Sequence, residues 1–151
     1  MATITAKDLT KEFPRSPYEE LDGFPWLARL IDKVRALQAG TLGEYTPFPC
    51  GGDRRFLATA GIDADALKDL IFKGASDAEI LAYIKAHAVP DAAERLVDYR
   101  KQQRSGYTDP DMVKYLDDAK QEIAKAHPGL DLSKVQNFSH LICLEEGHPL
   151  P

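Results

Sequence analysis

A chain of 151 residues that is 44% hydrophobic and 28% charged, with a formal charge of −5, has enough apolar material for one folded domain. Its apolar share excludes an intrinsically disordered chain, and no stretch approaches the ~20 apolar residues of a membrane span. The charge is uneven: residues 1–62 hold eight basic and eight acidic side chains, and residues 63–151 hold eleven and sixteen, so no general basic face is expected for nucleic acid.

Residues 1–22 read as an extended arm lying on the domain, pinned by Leu9, Phe13 and Tyr18, because Pro14 and Pro17 interrupt any continuous helix. Met1 to Glu12 shows no apolar core and no small-residue cleavage site, which points to the cytoplasm. A helical turn at 17–21 is expected, with Ser16 as cap and Pro17 at its first position.

The first helix is expected over 25–39. Trp26, Leu27, Leu30, Ile31, Val34 and Leu37 recur at helical spacing, and Gly40 ends it. On its polar side, Arg29, Asp32 and Arg35 are spaced for a ladder of exposed ion pairs. The segment 40–55 follows as a long connector with Gly40, Gly43, Gly51, Gly52, Pro47, Pro49, Cys50, Arg54 and Arg55. Phe56 to Thr59 reads as one helical turn, ended by Gly61.

Four further helices are expected: 64–73 capped by Asp63, 77–87 opened by the capping box Ser76–Glu79, 91–104, and 110–126 with Thr108 as cap and Pro110 early. In 91–104 the inward residues are Ala92, Ala93, Leu96, Val97 and Tyr99. In 110–126 the apolar stripe is Met112, Val113, Tyr115, Leu116, Ala119 and Ile123. The tail 135–146 reads as a short strand or packed extended segment, with 41–48 as its pairing candidate. The expected fold is therefore mainly α: one domain, residues 1–151, of about five helices with a long ordered loop and one short extended element.

Several residues could carry chemistry. Arg35 at the edge of the apolar arc, with Arg54 and Arg55, suits a carboxylate or phosphate. Cys50 lies near those arginines, and a lowered thiol pKa needs such a cation, yet the histidines at 87, 127, 140 and 148 are distant in sequence. Cys50 and Cys143 are read as reduced thiols, since one pair makes no disulfide framework. Gly51-Gly52 offers either an anion nest before a short helix at 53–60 or a turn with positive φ. Glu44-Tyr45 is read as a loop anchor rather than an acid–base pair. His140, Cys143, Glu145, Glu146 and His148 include metal-ligand types, but on an extended segment His140 and Cys143 face opposite ways, so no metal and no cofactor is expected. Arg95, Arg100, Lys101 and Arg104 read as a solvated face.

The strings Asp8-Leu9-Thr10, Pro14-Arg15-Ser16-Pro17, Gly23 to Lys33, and Gly40-Thr41-Leu42-Gly43-Glu44-Tyr45 carry a resemblance. It continues through Asp53-Arg54-Arg55 and Gly61-Ile62-Asp63 to Ser76–Tyr83. They resemble a family of small bacterial proteins classed as a domain of unknown function. The resemblance covers about half the chain and implies a bacterial origin without an activity.

The functional expectation is a small-molecule site, for binding or catalysis, between the helix 25–39 and the loop 40–55. Trp26, Arg29, Arg35, Tyr45, Cys50, Asp53, Arg54 and Arg55 would line it, and an anionic organic ligand suits that mixture of aromatics and arginines. The alternative is a protein–protein interaction module that uses the arm and loop without catalysis.

Overall fold

The computed structural model describes residues 4–151, so residues 1–3 of the expected arm lie outside the described residues. Seven helices are placed among them: α1 (Leu27–Ala39), α2 (Gly51–Ala60), α3 (Ala64–Phe72), α4 (Asp77–His87), α5 (Ala92–Arg104), α6 (Pro110–Ala126) and α7 (Phe138–Glu146). The protein is mainly helical. The chain's contacts gather into two units, Met1–Val97 and Asp98–Pro151, which divide within α5.

α2 and α7 exceed the sequence expectation, and each has a local cause. In α2 the Asp53 carboxylate reaches back to accept the Cys50 N–H at 3.0 Å, which satisfies a helix-start donor one turn before the expected helix. Gly51 and Gly52 are therefore helical residues, not a positive-φ turn. In α7 the Asn137 side chain accepts from the His140 N–H at 2.9 Å, and Gly147 closes the helix with φ 76°. The segment 135–146, expected as a short strand or packed extended segment, is thus helical over 138–146, and 41–48 forms no strand to pair with it. Phe138, Leu141 and Leu144 recur every three residues, but a run this short does not separate helix from strand by period. The turn at 17–21 stays a turn: Ser16 Oγ accepts from Tyr18 N–H at 3.1 Å and its carbonyl from Glu19 N–H at 3.1 Å, without a helix following.

In the first unit, α1 is buried along almost its whole length. Leu27, Leu30, Ile31 and Val34 are sealed from water, and full burial of each such side chain contributes about 1.5–3 kcal/mol. Arg29, Asp32 and Lys33 on the same helix are only 3–4% exposed. The ladder Arg29–Asp32–Arg35 is therefore not an exposed one. Asp32 accepts from the arm: Arg15 N–H at 2.8 Å, Nε at 3.1 Å and Nη2 at 3.0 Å. Arg15 Nη1 continues to Asp77 Oδ2 at 2.8 Å, at the first residue of α4. Arg35 Nη1 meets Asp77 Oδ1 at 3.0 Å, and its Nη2 donates to the Ala75 carbonyl at 3.0 Å. A chain of alternating charges, Asp32–Arg15–Asp77–Arg35, thereby ties the arm, α1 and α4 together.

The arm also docks through Leu9, buried against Ala36 and Leu42, with its N–H donating to Thr41 O at 2.8 Å. Phe13, expected as a pin, is 48% exposed, and Pro14 beside it is buried instead. The helix α1 packs on α3, and α3 on α4.

In the second unit, Leu116, Val135 and Leu141 form the core, flanked by Tyr107, Ile123 and Phe138. Asn137 uses both ends of its amide there: beside capping α7 it donates to the carbonyls of Gln103 at 2.8 Å and Ser105 at 3.0 Å. The cap of α6 is Asp109 rather than Thr108. Of the expected stripe on α6, Leu116 is buried, whereas Met112, Val113 and Tyr115 are exposed. On α5, Ala92, Leu96 and Tyr99 are buried as expected; Val97 and Ala93 face water.

Arg15→Ala should cost about 3 kcal/mol in urea unfolding, because it strands the buried Asp32 carboxylate. A loss below about 0.5 kcal/mol would mean that the charge chain is incidental.

Burial raises the Asp77 carboxyl, but the hydrogen bonds and charges of Arg15 and Arg35 outweigh it and hold it below its ordinary 3.8. Its folded value is depressed, so its stabilisation is fully present above the unfolded value near 3.8 and is lost as pH falls through the folded value. The stability gap between wild type and Asp77→Asn, read from urea midpoints, should therefore shrink between neutrality and about pH 3. A constant gap would remove Asp77 from the acid response.

Candidate functional site

The end of the connector turns towards the buried polar side of α1. Its span is 41–50, shorter than expected, because α2 already begins at Gly51. Trp26 precedes α1 with φ 69°, a left-handed conformation rarely taken by a bulky residue. Its N–H donates to Pro17 O at 3.2 Å and its indole Nε1 to Asp53 Oδ1 at 2.9 Å.

Asp53 is completely buried and gathers three donors. Besides the indole and the Cys50 N–H, Lys33 Nζ lies 3.5 Å from its Oδ2. Such a carboxylate is tolerated away from water only because each oxygen is matched. Lys33 Nζ also donates to Cys50 Sγ at 3.1 Å. Cys50 is the N-cap residue of α2 and is half-buried, while the Lys33 side chain is 5% exposed.

One turn earlier on α1, the Arg29 guanidinium lies over two rings, 5.7 Å from the centroid of Trp26 and 5.7 Å from that of Tyr45. Both separations are within cation–π range. Arg29 Nη1 also donates to the Arg15 carbonyl at 3.4 Å. Tyr45 packs on the Leu9–Ala36–Leu42 cluster, which makes it the loop anchor that the sequence suggests, with Glu44 exposed beside it.

Of the eight residues expected to line a site, Trp26, Arg29, Tyr45, Cys50 and Asp53 are linked through these contacts. Arg35 is engaged with Asp77 and Ala75 instead, and Arg54 and Arg55 lie exposed on α2. Lys33 is not among the expected residues. Its signal is nevertheless present in the sequence: it stands seven residues after Trp26 and three after Leu30, which puts it at the border of the apolar arc of α1, about 20° beyond Trp26. A lysine at such a position must either reach out of the core or find a buried partner.

The expected histidine and cysteine positions of the tail lie on α7, where His140 and Cys143, three residues apart, share one side rather than alternating. Burial pushes the His140 imidazole below its ordinary value. Glu146 Oε1 and His148 Nε2 are 3.1 Å apart. Among the described residues no group of three or more His, Cys, Asp and Glu side chains is arranged to hold a metal ion, and no helix is long and apolar enough to cross a membrane. Neither Cys50 nor Cys143 is in a disulfide.

The wall thus described joins two buried cations, two aromatic rings, a thiol and a carboxylate on a helical scaffold. The chain belongs to the family described as Domain of unknown function (DUF5069), whose model matches residues 11–148. That match reaches through the C-terminal helices, beyond the half of the chain that carries the resemblance. Comparison with curated proteins gives no match.

Gly52 tests how closely the wall is fitted. A Cβ there would stand 2.3 Å from the Trp26 ring, whereas one on Gly51 meets nothing within 4 Å. Gly52→Ala should therefore lower stability by about 1–3 kcal/mol through overpacking, with Gly51→Ala neutral or slightly stabilising. Equal melting temperatures for the two variants would show that Trp26 yields freely.

Proposed function

We propose that the protein binds a small anionic organic ligand between α1 and the segment 40–55. The observation that carries this reading is the pairing of Arg29 and Lys33, two cations one turn apart, withdrawn from water and turned towards Tyr45 and Cys50. An arginine fork beside an ammonium suits carboxylate or phosphate, and the rings of Trp26 and Tyr45 suit a flat organic body. Arg54 and Arg55, exposed at the start of α2, add positive charge next to that wall in sequence and would steer an anion towards it. If binding is followed by reaction, Cys50 is the nucleophile best placed to act, since Lys33 already contacts its sulfur.

Thermal-shift measurements against a panel of carboxylates and phosphates test the reading. At a hundredfold excess over Kd a ligand adds about 2.7 kcal/mol of stability, enough to read as a clear rise in Tm. Arg54→Ala should keep the unliganded Tm and reduce the ligand-induced rise, and Arg29→Met should abolish that rise. A panel with no stabilising compound would overturn the proposal, as would a rise that both variants retain.

The exposed Phe13 favours the second reading, in which arm and loop dock another protein. In that case the panel gives nothing, and Phe13→Ser abolishes an association that Arg29→Met leaves intact.

A further inference from the structure

The contact between Lys33 and Cys50 supports a second inference, independent of any ligand. Four conditions favour covalent joining of a thiol and an amine under oxidation. The sulfur must be reachable by a small oxidant. The amine must already be in contact with it, must be held still, and must have a group at hand to take its proton. Cys50 is half-buried, not enclosed in the core as Cys143 is. Lys33 Nζ rests 3.1 Å from Sγ. Its side chain is enclosed on the inner side of α1, with little freedom to swing away. Asp53 Oδ2 stands 3.5 Å from Nζ and is fully buried.

We propose that Lys33 and Cys50 form a redox-controlled modification site, in which peroxide converts the thiol to a sulfenic acid and Lys33 captures it as a sulfenamide cross-link.

The steps balance. The sulfur attacks one oxygen of hydrogen peroxide; the O–O bond breaks, water leaves, and Cys50 becomes the sulfenic acid, oxidised by two electrons as the peroxide is reduced. The Lys33 amine, its ammonium proton passed to Asp53, then attacks the sulfur through the nitrogen lone pair. An S–N bond forms, the S–O bond breaks, and the hydroxyl leaves as water with a proton from the nitrogen. This second step needs no further oxidant. Sulfenic acids also condense with backbone nitrogen, but an amide lone pair is delocalised into its carbonyl, whereas the Lys33 amine is free to attack. A thiol reductant reverses the link by attacking the sulfur.

The cross-link would join positions 17 residues apart, fastening α1 to the start of α2. Closing that loop restricts the unfolded chain and should raise thermal stability, as a disulfide of similar span does. It also removes the Lys33 ammonium, so if the anion-binding reading holds, oxidation would switch that site off.

The test uses the wild-type full chain treated with one equivalent of hydrogen peroxide, then intact-mass and peptide-mapping mass spectrometry with and without dithiothreitol. The expected result is a species that has lost two hydrogens and gained no oxygen, with the Lys33 and Cys50 peptides joined and released by dithiothreitol. Cys143→Ala should retain the species, and Lys33→Arg should stop at the sulfenic acid, trapped by dimedone. The proposal is overturned if Cys50 proceeds to sulfinic acid while the Lys33 peptide stays free. It is equally overturned if the sulfur is bonded to a backbone nitrogen, or if the joined peptides retain an oxygen atom. The wild-type peptide map decides between these outcomes, so the test stands even if a variant fails to fold and whether or not any anion binds.

Discussion

Burying a charged helix is the constraint on which the first unit depends. Arg29, Asp32 and Lys33 lie within little more than one turn of α1 with only 3–4% exposure, and an isolated ion in such a place is prohibitively costly. Each therefore dictates a partner from another part of the chain. Asp32 requires Arg15 from the arm, Arg29 is flanked by Trp26 and Tyr45, and Lys33 requires Asp53 and Cys50 from α2 and the residue before it. The apolar residues of α1 make its burial favourable. The charged ones decide how the arm, the connector and α2 are placed around it. Buried charges of this kind are weak contributors to net stability, and their effect lies in excluding arrangements that would leave them unpaired.

The same division separates what is legible in the sequence from what is not. Helices with their own start and stop signals are plain: α4 with Ser76 and Glu79 at its capping box, α3 with Asp63, and α1 ended by Gly40. α2 is less so because its start depends on Asp53 reaching back to the N–H of Cys50, a residue with little intrinsic preference for a helix cap. α7 is hidden because its nine residues give too little periodicity, and Asn137 at its cap is equally at home in a turn. The exposed side of α6 is the opposite case, where spacing suggests an inward stripe but Tyr115 remains 64% exposed. Helical period identifies a face; it does not state whether another element covers that face.

At the candidate site, aromatic and cationic residue types are legible and their partners are not. Tyr45, Cys50 and Asp53 stand near one another in sequence, and they do meet α1. Arg35 is equally near, but its guanidinium is taken up by Asp77 and Ala75, about forty residues further along the chain. Lys33 escapes notice because a lysine among other charges on a helix reads as solvent-facing. Such residues are separated by long-range pairing, and one sequence carries no direct record of which carboxylate a buried cation will meet.

Trp26 shows why the wall is rigid and not merely crowded. Its left-handed backbone costs of order 1–3 kcal/mol for a residue of this kind, so the conformation persists only where neighbours over-determine it. Three do. Pro17 O holds its N–H, Asp53 holds its indole, and Gly52 lies so close that the ring has no room for a Cβ beside it. The same ring supports Arg29, and the same carboxylate supports Lys33. Moving the indole would thus release a backbone strain while disturbing the partners of both cations. Strain concentrated at a fixed aromatic wall, with two buried cations and a thiol placed against it, is the physical ground for seeking function here before anywhere else in the first unit.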